Sequence, residues 1–174
     1  MDRRRLLKIA IAASFLAEGT AHAQQTSAPP DAGARAAIIY NFTRFSSWDA
    51  SRFATPSSPV VLCIQPRHAL AAHLAAFDGR LVGDRSLRVR QTADFDRSCH
   101  AAVVGQTDAN SARLDSLARE GVLTIGDSEG FIANGAIGII TVGRQIRFEI
   151  NNRNARSAGV VLSSSLLRLA VVVR

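Results

Sequence analysis

Val60-Val61-Leu62-Cys63-Ile64 is apolar at every position and stands between prolines, and two similar runs follow at 100–105 and 122–125. A short strand without alternation is buried on both faces, which means a mainly parallel sheet with helices packed above and below it. Helical stretches separate the runs: an alanine-rich one at 67–77, and one at 108–119 that Asn110-Ser111 can cap. Residues 86–91 alternate as an edge-like strand. Strands alternating with helices predict an α/β fold: a single compact domain, its mainly parallel sheet flanked by helices on both faces.

The two ends of this pattern differ from its middle. At the front, Ile38, Phe42, Phe45 and Trp48 recur at helical spacing and predict an amphipathic first helix over 34–48, broken by Thr55-Pro56-Ser57-Ser58-Pro59. At the back, residues 137–142 and 145–151 flank Gly143-Arg144 and predict a C-terminal β-hairpin. In its second strand Ile146, Phe148 and Ile150 share one face, and Arg147, Glu149 and Asn151 share the other. A short helix at 152–158, closed by Gly159, and a terminal helix opened by Ser163-Ser164-Ser165 complete the chain.

Ahead of this domain, residues 1–23 read as a secretory signal peptide: basic residues in Met1-Asp2-Arg3-Arg4-Arg5-Leu6-Leu7-Lys8, an apolar core, and Ala21-His22-Ala23 as the cleavage site. The same basic start approaches the twin-arginine pattern, so export runs by the Sec or the twin-arginine route. Residues 24–33, with Pro29-Pro30, predict a flexible tether, leaving 34–174 for the domain. The leader holds four basic and two acidic side chains of the 21 and 14 in the chain, so the mature net charge is about +5 rather than +7. The remaining arginines are scattered singly among acids, which argues against nucleic acid as a partner.

Cys63 and Cys99 are the only cysteines, and in an exported chain two cysteines most simply form one disulfide. They lack the spacing of a zinc site, and His68, His73 and His100 fall into no ligand pattern, so no metal or other cofactor is expected. Gly126-Asp127-Ser128-Glu129-Gly130 spells the nucleophile elbow of a serine hydrolase. Elbow hydrolases place their histidine after the serine, and no histidine follows Ser128. The preferred reading is a strand ending in a tight turn, with Ser128 or Asp127 capping a short helix that starts at Glu129.

Several stretches together resemble the YfiR-like periplasmic proteins: Tyr40-Asn41-Phe42 with Phe45 and Trp48, Cys63, Cys99-His100, and 122–127 with Gly130-Phe131. The likeness continues through Arg147-Phe148-Glu149-Ile150-Asn151, Ala158-Gly159, and Ser163-Ser164 with 166–170. The resemblance implies a periplasmic α/β protein that is not an enzyme. It implies a regulator that binds the periplasmic domain of an inner-membrane diguanylate cyclase and holds it inactive, lowering cyclic di-GMP and biofilm formation; a homodimer is a separate candidate assembly. Cys63 and Cys99 match one disulfide of the family's best-known member; the second pair is missing. Phe131, in a loop, and Glu149 and Asn151, on the polar face of the hairpin strand, are the candidate partner contacts. Two alternatives stand beside this reading: a small-molecule-binding sensory module, with its ligand beyond the carboxyl ends of the strands, and the Ser128 hydrolase.

Overall fold

The computed structural model describes residues 31–174. The expected leader, 1–23, and residues 24–30 of the expected tether lie outside the described residues. Helix α1 (Ala32–Arg44) begins two residues earlier than its sequence pattern indicated. Asp31 anchors the first turn: its carbonyl accepts the Arg35 N–H at 3.0 Å and its carboxylate accepts Arg35 Nε at 2.9 Å. The buried stripe is Ala32, Ala36, Ile39, Phe42 and Thr43, so of the expected apolar face only Phe42 is fully enclosed.

The helix expected to reach Trp48 stops at Arg44. Thr43 Oγ1 donates to the Tyr40 carbonyl and Ser46 Oγ to the Phe42 carbonyl, both at 2.7 Å. The Ser46 hydroxyl takes the carbonyl that the Ser46 N–H would use in a further helical turn, whereas the Thr43 bond lies within the last turn. The chain continues as β1 (Ser46–Trp48), a 3-10 turn at Ala50–Arg52, β2 (Val60–Ile64), α2 (Ala71–Ala75), β3 (Leu81–Val82), β4 (Arg85–Gln91) and β5 (Ala101–Val104). Then come α3 (Ser111–Arg119), β6 (Leu123–Gly126), β7 (Ile137–Val142), β8 (Gln145–Ile150), α4 (Asn152–Ser157), β9 (Val160–Leu162), α5 (Ser164–Leu169) and β10 (Val172–Val173). Helix α2 is much shorter than the expected 67–77, because Pro66 starts a chain of turns in which His68 Nδ1 accepts the Leu70 N–H at 3.1 Å.

The main sheet has the order β10-β8-β7-β6-β5-β2-β4-β3. It is parallel from β4 across to β7; β8 runs antiparallel to β7, β10 parallel to β8, and β3 antiparallel to β4. Strands β1 and β9 form a separate antiparallel pair. Alternation sorts the central residues between two cores: Leu62, Ile64, Ala101 and Val103 pack with α1 and α2, while Cys63, Ala102 and Val104 pack with Leu114 and Leu117 of α3. This is the α/β architecture read from the sequence, hairpin and terminal helix included. Three helices start at the polar residues expected: the side chains of Asn110, Asn151 and Ser163 accept the N–H of Arg113, Asn154 and Leu166.

Candidate functional site

A group of polar and aromatic side chains runs from the Cys63–Cys99 disulfide to the amino-terminal end of the parallel strands. Its anchor is the Cys63–Cys99 disulfide, with Cα atoms 5.7 Å apart and both residues fully buried. It ties Cys63, the penultimate residue of β2, to the segment entering β5, under Phe95, Leu114 and Leu117. Arg90 of β4 reaches over it, donating from Nη2 to Cys99 Sγ at 3.2 Å and to Ser98 Oγ at 2.6 Å. Asp96 closes this loop: Ser98 donates to its carboxylate from both hydroxyl and backbone N–H, which holds the carboxyl below its usual range, with Arg90 adding to the effect.

Arg52 braces the same segment from the other side. Its guanidinium donates to the carbonyls of Glu120, Arg97 and Cys99 at 2.9, 3.0 and 2.9 Å. Gly121, at φ +79°, lets it approach, since a Cβ there would sit 3.1 Å from the guanidinium carbon. One side chain thus clamps the end of α3 to the disulfide segment.

Next to Cys99, His100 is 5% exposed. Its Nδ1 accepts the Val61 N–H at 3.0 Å, and its backbone N–H donates to the Val61 carbonyl at 2.8 Å. An Nδ1 that accepts carries no proton, so the neutral ring keeps its proton on Nε2, where no partner among the described residues meets it. Phe53 stacks on the imidazole at 4.5 Å between centroids and Trp48 meets it edge-on at 5.8 Å. Trp48 Nε1 also donates to the His100 carbonyl at 3.0 Å. Burial, with Arg52 and Arg85 nearby, pushes the His100 pKa down to about 4.

Outside this stack the surface forms a groove of about 240 Å³ lined by Arg44, Ser47, Trp48, Phe53, Asp84 and Arg85. The Arg85 guanidinium lies 3.6 Å from the Phe53 centroid and donates to the Thr55, Pro56 and Ser58 carbonyls, so it is held in place. Tryptophan, phenylalanine and oriented arginines in a shallow groove are suited to binding, and Trp and Arg are enriched where protein contacts are strongest.

The residues singled out from sequence lie elsewhere. Phe131 is 5% exposed, its ring seated between Gly126 and Gly135: a Cβ on those glycines would fall 2.3 and 2.1 Å from ring carbons. Asn151 accepts the Asn154 N–H at 3.0 Å, capping α4, and donates from Nδ2 to the Ile132 carbonyl at 2.9 Å, which fastens the hairpin to the turn that Phe131 anchors. Glu149 is half-buried between Gly138 of β7 and Val172 of β10. No helix starts at Glu129, and neither Asp127 nor Ser128 provides a cap. Gly130 at φ +66° leads into a 3-10 turn at Phe131–Ala133, because the buried ring dictates the path of the loop. Among the described residues no histidine hydrogen-bonds to Ser128; His68 lies near Asp127, with its pKa lowered by burial and partly restored by that carboxylate. Sequence reasoning missed the Trp48–Phe53–His100–Arg85 stack, whose members are distant in the chain and share no motif.

A family model described as YfiR/HmsC-like matches residues 32–171, from the first residue of α1 to the start of β10. The chain belongs to this family. Both anchors of the site, the disulfide and the aromatic stack on His100, lie within the matched span of this YfiR/HmsC-like chain. No curated protein matches it. Among solved structures it is similar to a conserved domain protein from Vibrio cholerae O1 biovar El Tor, with 8% identity, 82% of this chain and 60% of that chain covered, and a TM-score of 0.49. The chain thus spans 60% of the length of that protein. Among the described residues no helix is long and apolar enough to cross a membrane, and the disulfide fits an oxidising compartment.

Proposed function

We propose that this YfiR/HmsC-like protein is an exported, non-catalytic regulator that binds the periplasmic domain of an inner-membrane diguanylate cyclase and restrains it, lowering cyclic di-GMP and biofilm formation. The observation that carries this reading is the family match over 32–171. Three features support it: a core disulfide that needs an oxidising compartment, a leader at 1–23 that would deliver the chain there, and a surface composed for binding. The groove formed by Arg44, Trp48, Phe53 and Arg85 is the principal contact surface, and Glu149, Asn151 and the turn anchored by Phe131 form a secondary one. Deleting the gene should raise cellular cyclic di-GMP, and a plasmid copy should restore the wild-type level. An unchanged level in the deletion strain refutes the reading.

A small-molecule sensory role is the second reading, and the groove of about 240 Å³ is the observation that favours it. A thermal-shift screen of aromatic carboxylates and phosphates tests it: a ligand whose stabilisation disappears in Phe53→Ala supports a sensor, and a screen without any shift removes it.

A further inference from the structure

The aromatic groove contains a guanidinium that is fixed at one nitrogen and unused at the other two. Arg85, the first residue of β4, spends Nη1 on the carbonyls of Thr55, Pro56 and Ser58 at 3.1, 2.7 and 2.8 Å. Its Nε and Nη2 have no hydrogen-bond partner among the described residues, and neither atom is buried. Asp84 precedes it without pairing: the ion pairs among the described residues are Arg35–Asp31, Arg88–Asp78 and Arg90–Asp96. Stacking holds the same group. The guanidinium carbon lies 3.6 Å from the Phe53 centroid, and the His100 ring stacks on Phe53 at 4.5 Å with the planes 16° apart. Groups this close to a centroid cannot share one face of the ring, since carbon atoms need about 3.5–4.0 Å between them. Phe53 is therefore sandwiched, in a column that begins at the buried His100 and ends at Arg85 in the groove.

The rest of the groove supplies one further cation, one acid and apolar surface. Arg44, also without an ion pair, has its guanidinium carbon 5.8 Å from the Tyr40 centroid and 6.0 Å from that of Phe45. Ser47 and Trp48 form the wall on β1. Directly opposite Ser47 across the β1–β9 pair is Val161, and residues so paired share a face of the ribbon. Val161 is 67% exposed, so the lip of the groove carries an uncovered apolar side chain.

We propose that the Nε–Nη2 edge of Arg85 binds a side-chain carboxylate of the protein partner, an aspartate or glutamate flanked by apolar residues. The inference rests on the reading of this groove as the principal contact surface. Two adjacent N–H donors on a planar fork match the two oxygens of a carboxylate. Because three carbonyls and the Phe53 ring already hold the guanidinium, it loses little rotamer freedom when it binds. Charge selects a carboxylate over a phosphate group. Arg44 and Arg85 against Asp84 leave the groove one net positive charge, which balances a carboxylate and falls short of the roughly −1.5 to −2 of a phosphate monoester. Size selects a side chain over a free ligand. The groove of about 240 Å³ lies below the roughly 300–1,000 Å³ that commonly encloses a small molecule. A residue already anchored in a partner needs only such an open shelf, and its apolar neighbours meet Trp48 and Val161.

NMR of the isotope-labelled mature protein tests this through the Arg85 Nε–H signal. The probe is acetyl-leucyl-glutamyl-leucine amide, and the glutaminyl peptide is its uncharged twin. The glutamyl peptide should shift the signal saturably, while the Nε–H of Arg35, already engaged by Asp31, stays in place. The glutaminyl peptide should bind about tenfold more weakly. In Arg85→Lys the indole N–H of Trp48, the only tryptophan, reports both the fold and the binding. That variant keeps the charge but loses the fork, and the glutamyl peptide should bind it about fivefold more weakly. Equal binding of the two peptides overturns the proposal, as does undiminished binding by a folded Arg85→Lys. Tighter binding of inorganic phosphate or benzoate than of the glutamyl peptide overturns it in favour of a small-anion site. Restraint of the cyclase that survives Arg85→Lys in full removes the carboxylate contact and leaves the regulatory reading standing. Capture of the glutamyl peptide by a protein that leaves the cyclase rate unchanged supports the contact and removes that reading.

Discussion

Acid should loosen this fold through His100, and the size of the effect can be worked out. In the unfolded chain the imidazole titrates at its ordinary 6.5; in the fold its pKa is about 4. Between those values the unfolded chain binds a proton that the folded chain refuses. The His100 contribution is therefore complete above pH 6.5, falls as the pH drops toward 4, and levels off below that, where the depressed carboxyl of Asp96 takes over. The gap is worth about 3 kcal/mol. The cause is visible in the stack: Phe53 covers one face, Arg52 and Arg85 are the neighbouring charges, and Nδ1 is engaged by the Val61 N–H. Urea titrations across this range measure the slope, and His100→Gln separates the source, since an amide oxygen can still accept the Val61 N–H without titrating. The variant should lose most of the slope, the remainder belonging to His68, whose pKa is also lowered by burial. A variant that keeps the full acid sensitivity refutes the assignment.

Three further outcomes follow from the same packing. The disulfide closes a separation of 36 residues, so Cys99→Ala, or reduction, should cost about 4 kcal/mol on the chain-entropy model, read as a lower urea midpoint. Gly135→Ala places a methyl 2.1 Å from the Phe131 ring, which Gly126 confines on its other side. A loss of about 1–3 kcal/mol is expected, and a crystal structure should show the ring displaced. Arg52→Ala strips donors from three carbonyls and should cost about 1–3 kcal/mol in thermal or urea unfolding; Arg52→Lys should not restore it, because an ammonium cannot reproduce the planar fork.

The sheet was legible because its strands are short apolar runs with clear boundaries: 60–64, 122–125 and the hairpin around Gly143-Arg144 emerge within a residue or so of where the pattern puts them. The capping residues Asn110, Asn151 and Ser163 were equally plain. The first helix was misjudged at its end because helical spacing from Ile38 to Trp48 is blind to Ser46, whose hydroxyl takes the Phe42 carbonyl that a further turn would use, so Trp48 lies on β1. Phe131 looked like a contact residue because it sits in a loop, whereas Gly126 and Gly135 on either side were the sign of a ring seated between them. The aromatic groove could not be assembled from sequence at all. Trp48, Phe53, Arg85 and His100 come from four separate segments and meet only because β2 lies between β4 and β5.

Restraint of a membrane diguanylate cyclase by the oxidised protein, as proposed above, can be tested on purified components. The most direct measurement is the rate of cyclic di-GMP synthesis by the cognate cyclase, reconstituted in lipid nanodiscs, as purified oxidised protein is added. A saturable fall in rate is expected, relieved when the protein is replaced by Arg85→Glu, whose groove is altered while the disulfide remains. An unchanged rate at every concentration, with no complex formed, contradicts it.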